Sequence, residues 1–130
     1  MTALIRINQE GQFSDITEGD GVANALPVGD VASHDQITQL LDQPIVRLEV
    51  DGFSDGRGFS VARQLRLLGF TGVVEVIGDL LPDQLPMAAA SGIDAILIRA
   101  EHAERCEESQ WQQKSAGNKR FGYQRAVAVG

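Results

Sequence analysis

Three runs of β-branched and aliphatic residues, Ile45–Val50, Val73–Ile77 and Ile93–Ile98, constrain this chain most, because helical periodicity separates each from the next. Between the first two, Gly58 to Leu68 sets Val61, Ala62, Leu65 and Leu68 on one face, with Arg63 and Arg66 directed elsewhere, and Gly69 closes the helix. Between the second and third, Leu85, Ala88 and Ala89 line a helix ended by Gly92. Pro82 and Pro86 are tolerated there only if the helix starts near Asp83, which leaves Pro86 in its first turn. Strands alternating with helices are βαβ units, whose right-handed crossovers make the strands parallel. The expected class is α/β, a small parallel sheet built from consecutive βαβ units. Three strands are equally compatible with a compact doubly wound sheet and with a fragment related to a (β/α) barrel.

The flanks add less. Ala3 to Ile16 alternates apolar and polar residues around Gln9-Glu10-Gly11-Gln12, the pattern of an N-terminal β-hairpin bordering the main sheet. Residues 17–30 hold Gly19, Gly21, Pro27 and Gly29 without periodicity and read as a mobile loop. Ser33-His34-Asp35-Gln36 has the spacing of a capping box and starts a helix running to about Leu41, before Pro44. Glu101 to Lys114 is a further helical candidate with a thin stripe of Ala103, Cys106 and Trp111. Residues 115–130 form a basic C-terminal tail, with Lys119, Arg120 and Arg125 and no acidic residue, a contrast a partner or neighbouring subunit can use.

At 130 residues the chain reads as a single domain over residues 1–130, since 43% hydrophobic content supports one core. A net charge of -7 argues against a general nucleic-acid binder and disfavours an anionic membrane surface. No run approaches a membrane span of about 20 apolar residues, and the N-terminus lacks the length of a secretory signal, so the expected location is cytoplasmic. The single cysteine, Cys106, excludes an internal disulfide and a CxxC redox pair. A small sheet with edges and faces that so short a chain can hardly cover predicts a homodimer.

Ligands in parallel α/β sheets collect at the carboxyl ends of the strands. That rule selects the loops Asp51–Gly58, Gly78–Gln84 and Arg99–His102. The first brings together Ser54, Asp55, Gly56, Arg57 and Gly58, with Ser60 just beyond, and its glycines let the backbone approach a ligand closely. Arg57 can hold a carboxylate, sulfate or phosphate as a bidentate fork, or it can pair with Asp55 or Asp79 and pin two loops together. Asp79 and Asp83 suit helix caps, or alternatively acid–base work or Mg²⁺, but no spacing fixes a coordination sphere and no metal site is expected. His34 and His102 form no ligand pair. Neither Gly-x-Gly-x-x-Gly nor a phosphate-binding Gly-x-x-x-x-Gly-Lys loop is present, so no cofactor is identified.

The run Phe53-Ser54-Asp55-Gly56-Arg57-Gly58-Phe59-Ser60-Val61-Ala62-Arg63, with the later Gly78-Asp79, Asp83-Gln84-Leu85, Gly92-Ile93-Asp94-Ala95 and Tyr123-Gln124, resembles the bacterial domain-of-unknown-function family 934 over about residues 42–124. Glu75, where the family pattern has an arginine, and Ala90-Ser91, where it has Arg-Cys, depart from it. The resemblance implies an association with assimilatory sulfite reduction, and members of the family are sometimes labelled oxidoreductases. Two readings follow. One is an accessory protein of sulfate assimilation that binds a small anion, or a protein of the sulfite-reductase system, through Arg57, Asp55, Asp79, Asp83 and Gln84. The other is a small-molecule enzyme, an oxidoreductase by family label, using the same loops.

Overall fold

The computed structural model describes residues 4–16, 25–31 and 33–115. The two predicted crossovers form. Strand β4 (Ile45–Glu49) leads through α2 (Arg57–Leu67) to β5 (Val73–Ile77). A 3-10 turn at Pro82–Gln84 and α3 (Leu85–Ala90) lead on to β6 (Ala95–Arg99), with Pro86 in the first turn of α3, where its missing N–H costs nothing. The third strand starts two residues later than the apolar run suggests, because Asp94 is drawn aside to accept a hydrogen bond from the Val74 amide.

The N-terminal hairpin is present as β1 (Leu4–Asn8) and β2 (Phe13–Asp15), paired antiparallel. Its turn closes on Asn8, whose side-chain oxygen accepts from the Glu10 and Gln12 amides. It borders the sheet by antiparallel pairing of β1 with β6. Of the segment 17–30, residues 17–24 lie outside the described residues, while Leu26–Pro27 form β3, parallel to β4, followed by a 3-10 turn at Val28–Asp30. The sheet thus has six strands in the order β2-β1-β6-β5-β4-β3. The capping box forms as spaced, with Gln36 N donating to Ser33 Oγ and Ser33 N to the Gln36 side chain. Helix α1 (His34–Thr38) then tightens into i→i+3 turns through Leu41.

Strand neighbours β3, β4, β5 and β6 run in sequence order, which settles the winding. Val46, Leu48, Val74, Val76, Ile96, Ile98 and Ile7 share one face and join a single core with Ile37 of α1, Phe59, Ala62 and Leu65 of α2, and Leu85 and Ala88 of α3. The helices therefore lie on one face, as in a segment of a (β/α) barrel and unlike a doubly wound sheet. The predicted third helix divides into α4 (Ala100–Arg105) and α5 (Glu108–Ser115). The break turns Trp111 into the core, where it is fully buried and its indole N–H satisfies the Cys106 carbonyl.

The opposite face is mixed. Ile77, Ala95 and Leu97 pack with Leu4, Ile16 and Ala25, and beside them Glu75 lies buried between two arginines. Its carboxylate is 2.9 Å from Arg6 Nε and 2.8 Å from Arg47 Nε.

Candidate functional site

A cleft of about 670 Å³ opens on that face at the carboxyl ends of the parallel strands. Because strand side chains alternate, the ends of β4, β5 and β6 direct Glu49, Ile77 and Leu97 into it, while Val28, Val50 and Leu4 complete an apolar floor. Asp51, Arg57, Asp79 and Arg99 form the polar rim, and the Gly29 turn after β3 closes one wall. Gly78 directly follows β5, its amide donating to the Leu97 carbonyl, and a Cβ there would meet Val50 Cγ2 at 2.5 Å, so the floor at this point requires glycine.

The first loop is organised by Asp55. Its carboxylate accepts Arg57 Nε at 2.8 Å and Nη2 at 2.9 Å, together with the backbone amides of Arg57 and Asp51. This bidentate fork, aided by the two amides and opposed by partial burial, holds the Asp55 carboxyl well below the usual carboxylate range. Asp55 in turn raises the affinity of Arg57 for its proton. The Asp55 side chain is only 8% exposed, whereas Arg57 is 57% exposed, with a second carboxylate oxygen, of Asp51, 3.5 Å away. Among the described residues Arg57 Nη1 meets no acceptor, and it reaches toward the Gly29 turn.

A second arginine answers it from β6. Asp79 accepts the Arg99 backbone amide at 3.0 Å and Arg99 Nε at 2.6 Å, and among the described residues the terminal nitrogens of Arg99 approach no further carboxylate but that of Glu101, at 4.0 Å. Asp79 also pushes the Arg99 guanidinium upward in proton affinity. Arg57 thus pairs within its own loop, with Asp55, while Asp79 serves a different arginine.

The remaining sequence candidates are spread more widely. Gln84 bridges two loops, accepting from the Leu81 amide and donating to the Phe53 carbonyl at 2.7 Å. Asp83 pairs with Lys114 at 2.9 Å, joining the 3-10 turn to α5. Ser54 and Ser60 are exposed, Gly56 precedes α2 as its N-cap, and Gly58 packs against Val50 and Val76. The structure therefore brings Arg57 and Asp79 to the cleft and Asp55 directly behind Arg57. Sequence reading placed Asp51 and Arg99 at the start of selected loops without making them site candidates, and it left out Glu49. The same strand-end rule is the signal that would have found all three, since Glu49 and Arg99 end core strands and Asp51 opens the loop after β4.

Among the described residues, no three His, Cys, Asp or Glu side chains gather as a metal site, and no helix is long and apolar enough to cross a membrane. The half-buried Cys106 thiol is pushed up by burial, away from the reactive thiolate. The basic residues Lys119, Arg120 and Arg125 lie outside the described residues.

Comparison with curated proteins and with solved structures gave no match to either. A family model does match, over residues 27–129, which takes in β4, β5 and β6 whole and both arginine loops. The chain belongs to that family, the bacterial proteins of unknown function DUF934.

Proposed function

We propose that the cleft binds a small anion, with Arg57 and Arg99 as its paired donors, and that the protein serves as an accessory component of sulfate assimilation and sulfite reduction. The observation that carries the binding reading is that Asp55 orients Arg57 through Nε and Nη2 and Asp79 orients Arg99 through Nε, while Arg57 Nη1 and the terminal nitrogens of Arg99 meet no hydrogen-bond acceptor among the described residues at the cleft rim. An arginine fixed in this way loses less side-chain entropy on binding, and its fork suits oxyanions. The link to sulfur metabolism is supported by family membership alone. Titration of the full chain with sulfate, sulfite and phosphate tests the first part, with Arg57→Gln and Arg99→Gln expected to abolish binding. Binding unchanged in both variants refutes it. Recovery of a sulfite-reducing enzyme with the tagged protein from sulfate-grown cells tests the second, and its absence refutes the partner version.

The enzyme reading is favoured by one observation. Asp51 is 90% exposed and lies 3.5 Å from Arg57, so a carboxylate is available as a general base beside the anion-holding group. Turnover lost in Asp51→Asn, with ligand binding intact, is the result that would establish it. We also propose self-association, because the sheet ends in the short edge strands β2 and β3. A monomer in sedimentation at micromolar concentration refutes that proposal.

A further inference from the structure

Taking the anion-binding reading as its basis, the geometry points to a narrower ligand class. We infer that the cleft takes a small organic anion that also carries hydrogen-bond donors, hydroxyl or ammonium groups, on a short body, in preference to a bare inorganic oxyanion.

The charge balance is the first argument. Each rim arginine is already matched by a carboxylate, Arg57 by Asp55 and Arg99 by Asp79. Two further carboxylates face the same space. Glu49 is exposed at the end of β4 with no partner among the described residues, and Asp51 has only the 3.5 Å approach of Arg57. An inorganic dianion drawn to the guanidiniums meets the field of these uncompensated groups, which repels it. A ligand that presents donors to Glu49 and Asp51 converts that repulsion into hydrogen bonds.

The second argument is shape. Glu49 pairs in register with Ile77, and Ile77 with Leu97, so the acidic end and the Arg99 end of the cleft are two strand spacings apart, roughly 10 Å. The floor between them is Ile77 and Leu97, neither of which offers a polar contact. A single tetrahedral ion leaves that floor uncovered, whereas an anion with a carbon body spans it. Hydroxyl-bearing and amine-bearing anions share this chemistry.

Calorimetric titration of the full chain with inorganic phosphate, ribose 5-phosphate and phosphoserine tests the inference. We expect at least one organic phosphate to bind tenfold or more tighter than inorganic phosphate. Glu49→Ala combined with Asp51→Ala is expected to abolish that preference while strengthening inorganic phosphate binding. Glu49→Gln separates the two sources, since it still accepts from a hydroxyl of ribose 5-phosphate but loses the charge that holds the ammonium of phosphoserine. Equal binding of all three probes, or a preference untouched by the double substitution, overturns this inference and leaves the anion-binding reading intact. No binding of any probe overturns both.

Discussion

Arg66 Nη2 lies 2.9 Å from Asp94 Oδ2, and the same carboxylate oxygen accepts the Val74 amide, so one arginine of α2 fixes the starts of β5 and β6 together. Its guanidinium also donates to the carbonyls of Phe70, Gly72 and Gly92, and its side chain is 7% exposed. The arginine thus satisfies turn carbonyls at the bottom of the sheet, opposite the cleft. Truncating it removes the donors to those carbonyls and takes the guanidinium from the Asp94 carboxylate. Arg66→Ala is therefore expected to cost about 3–5 kcal/mol in chemical denaturation. A loss under about 1 kcal/mol would mean that water replaces it.

Gly92 is part of the same junction. Its φ of +91° is a left-handed conformation, and a Cβ there would stand 2.5 Å from Arg66 Cγ. Gly92→Ala therefore combines backbone strain with displacement of the buried arginine. A destabilisation of more than about 1 kcal/mol is expected, and it should shrink in an Arg66→Ala background, where the steric part is absent. A double-mutant cycle measures that coupling, and strict additivity would refute it.

Glu75 departs from the family pattern, and the structure gives the position a role. Its carboxylate, 4% exposed, is the only acidic group between Arg6 and Arg47 among the described residues, so Glu75→Ala leaves the nearly buried Arg47 and the part-exposed Arg6 without their shared counter-charge. The expected cost is about 3–5 kcal/mol, and replacing all three residues together by apolar ones should recover most of it. Denaturation midpoints of the single and triple variants decide this, and a triple variant as unstable as the single one contradicts it.

The sequence made the parallel core legible because each of its strands is a local signal: Ile45–Val50 and Val73–Ile77 are β-branched runs, and Ser33 and Gln36 spell out a cap. What escaped it depends on contacts distant in the chain. β3 is only Leu26–Pro27, too short to show a period, and exists because the edge of β4 pairs with it. An arginine on an amphipathic helix reads as solvent-facing, so the burial of Arg66 by carbonyls up to 26 residues away carried no local mark. The same holds for Arg99, whose partner Asp79 is 20 residues away, whereas Arg57 finds Asp55 two residues back, inside the run that made the loop conspicuous.

The pH response of the first loop follows from Asp55. Its carboxyl titrates in the folded protein well below its value in an unfolded chain, held down chiefly by the Arg57 hydrogen bonds. Folding therefore gains stability from this group above the unfolded carboxylate range of about 4, and loses it as pH falls from there toward the folded value. Asp55→Asn is expected to be less stable than the parent by a constant margin above about pH 5, with the gap closing progressively below pH 4. A gap that widens on acidification would show that the sign is wrong.

Arg57 and Leu65 sit eight residues apart in α2, and their substitutions are expected to separate binding from folding. Leu65 is fully buried among the core side chains beneath the sheet, so Leu65→Ala leaves a cavity and should cost roughly 2 to 5 kcal/mol. Arg57 is more than half exposed, and its partner Asp55 keeps two backbone amide donors when the guanidinium is removed. With one partner this exposed, solvent screens the pair, so the share of the Asp55 stabilisation that the guanidinium supplies is small. Arg57→Ala should therefore melt close to the parent while losing anion binding and, in a deletion strain, support of growth on sulfate. Thermal melts, titration and complementation on the two variants measure all three properties. If Arg57→Ala unfolds the protein as severely as Leu65→Ala, the arginine is a structural clamp on the loop and the cleft has lost its principal donor as a site of function.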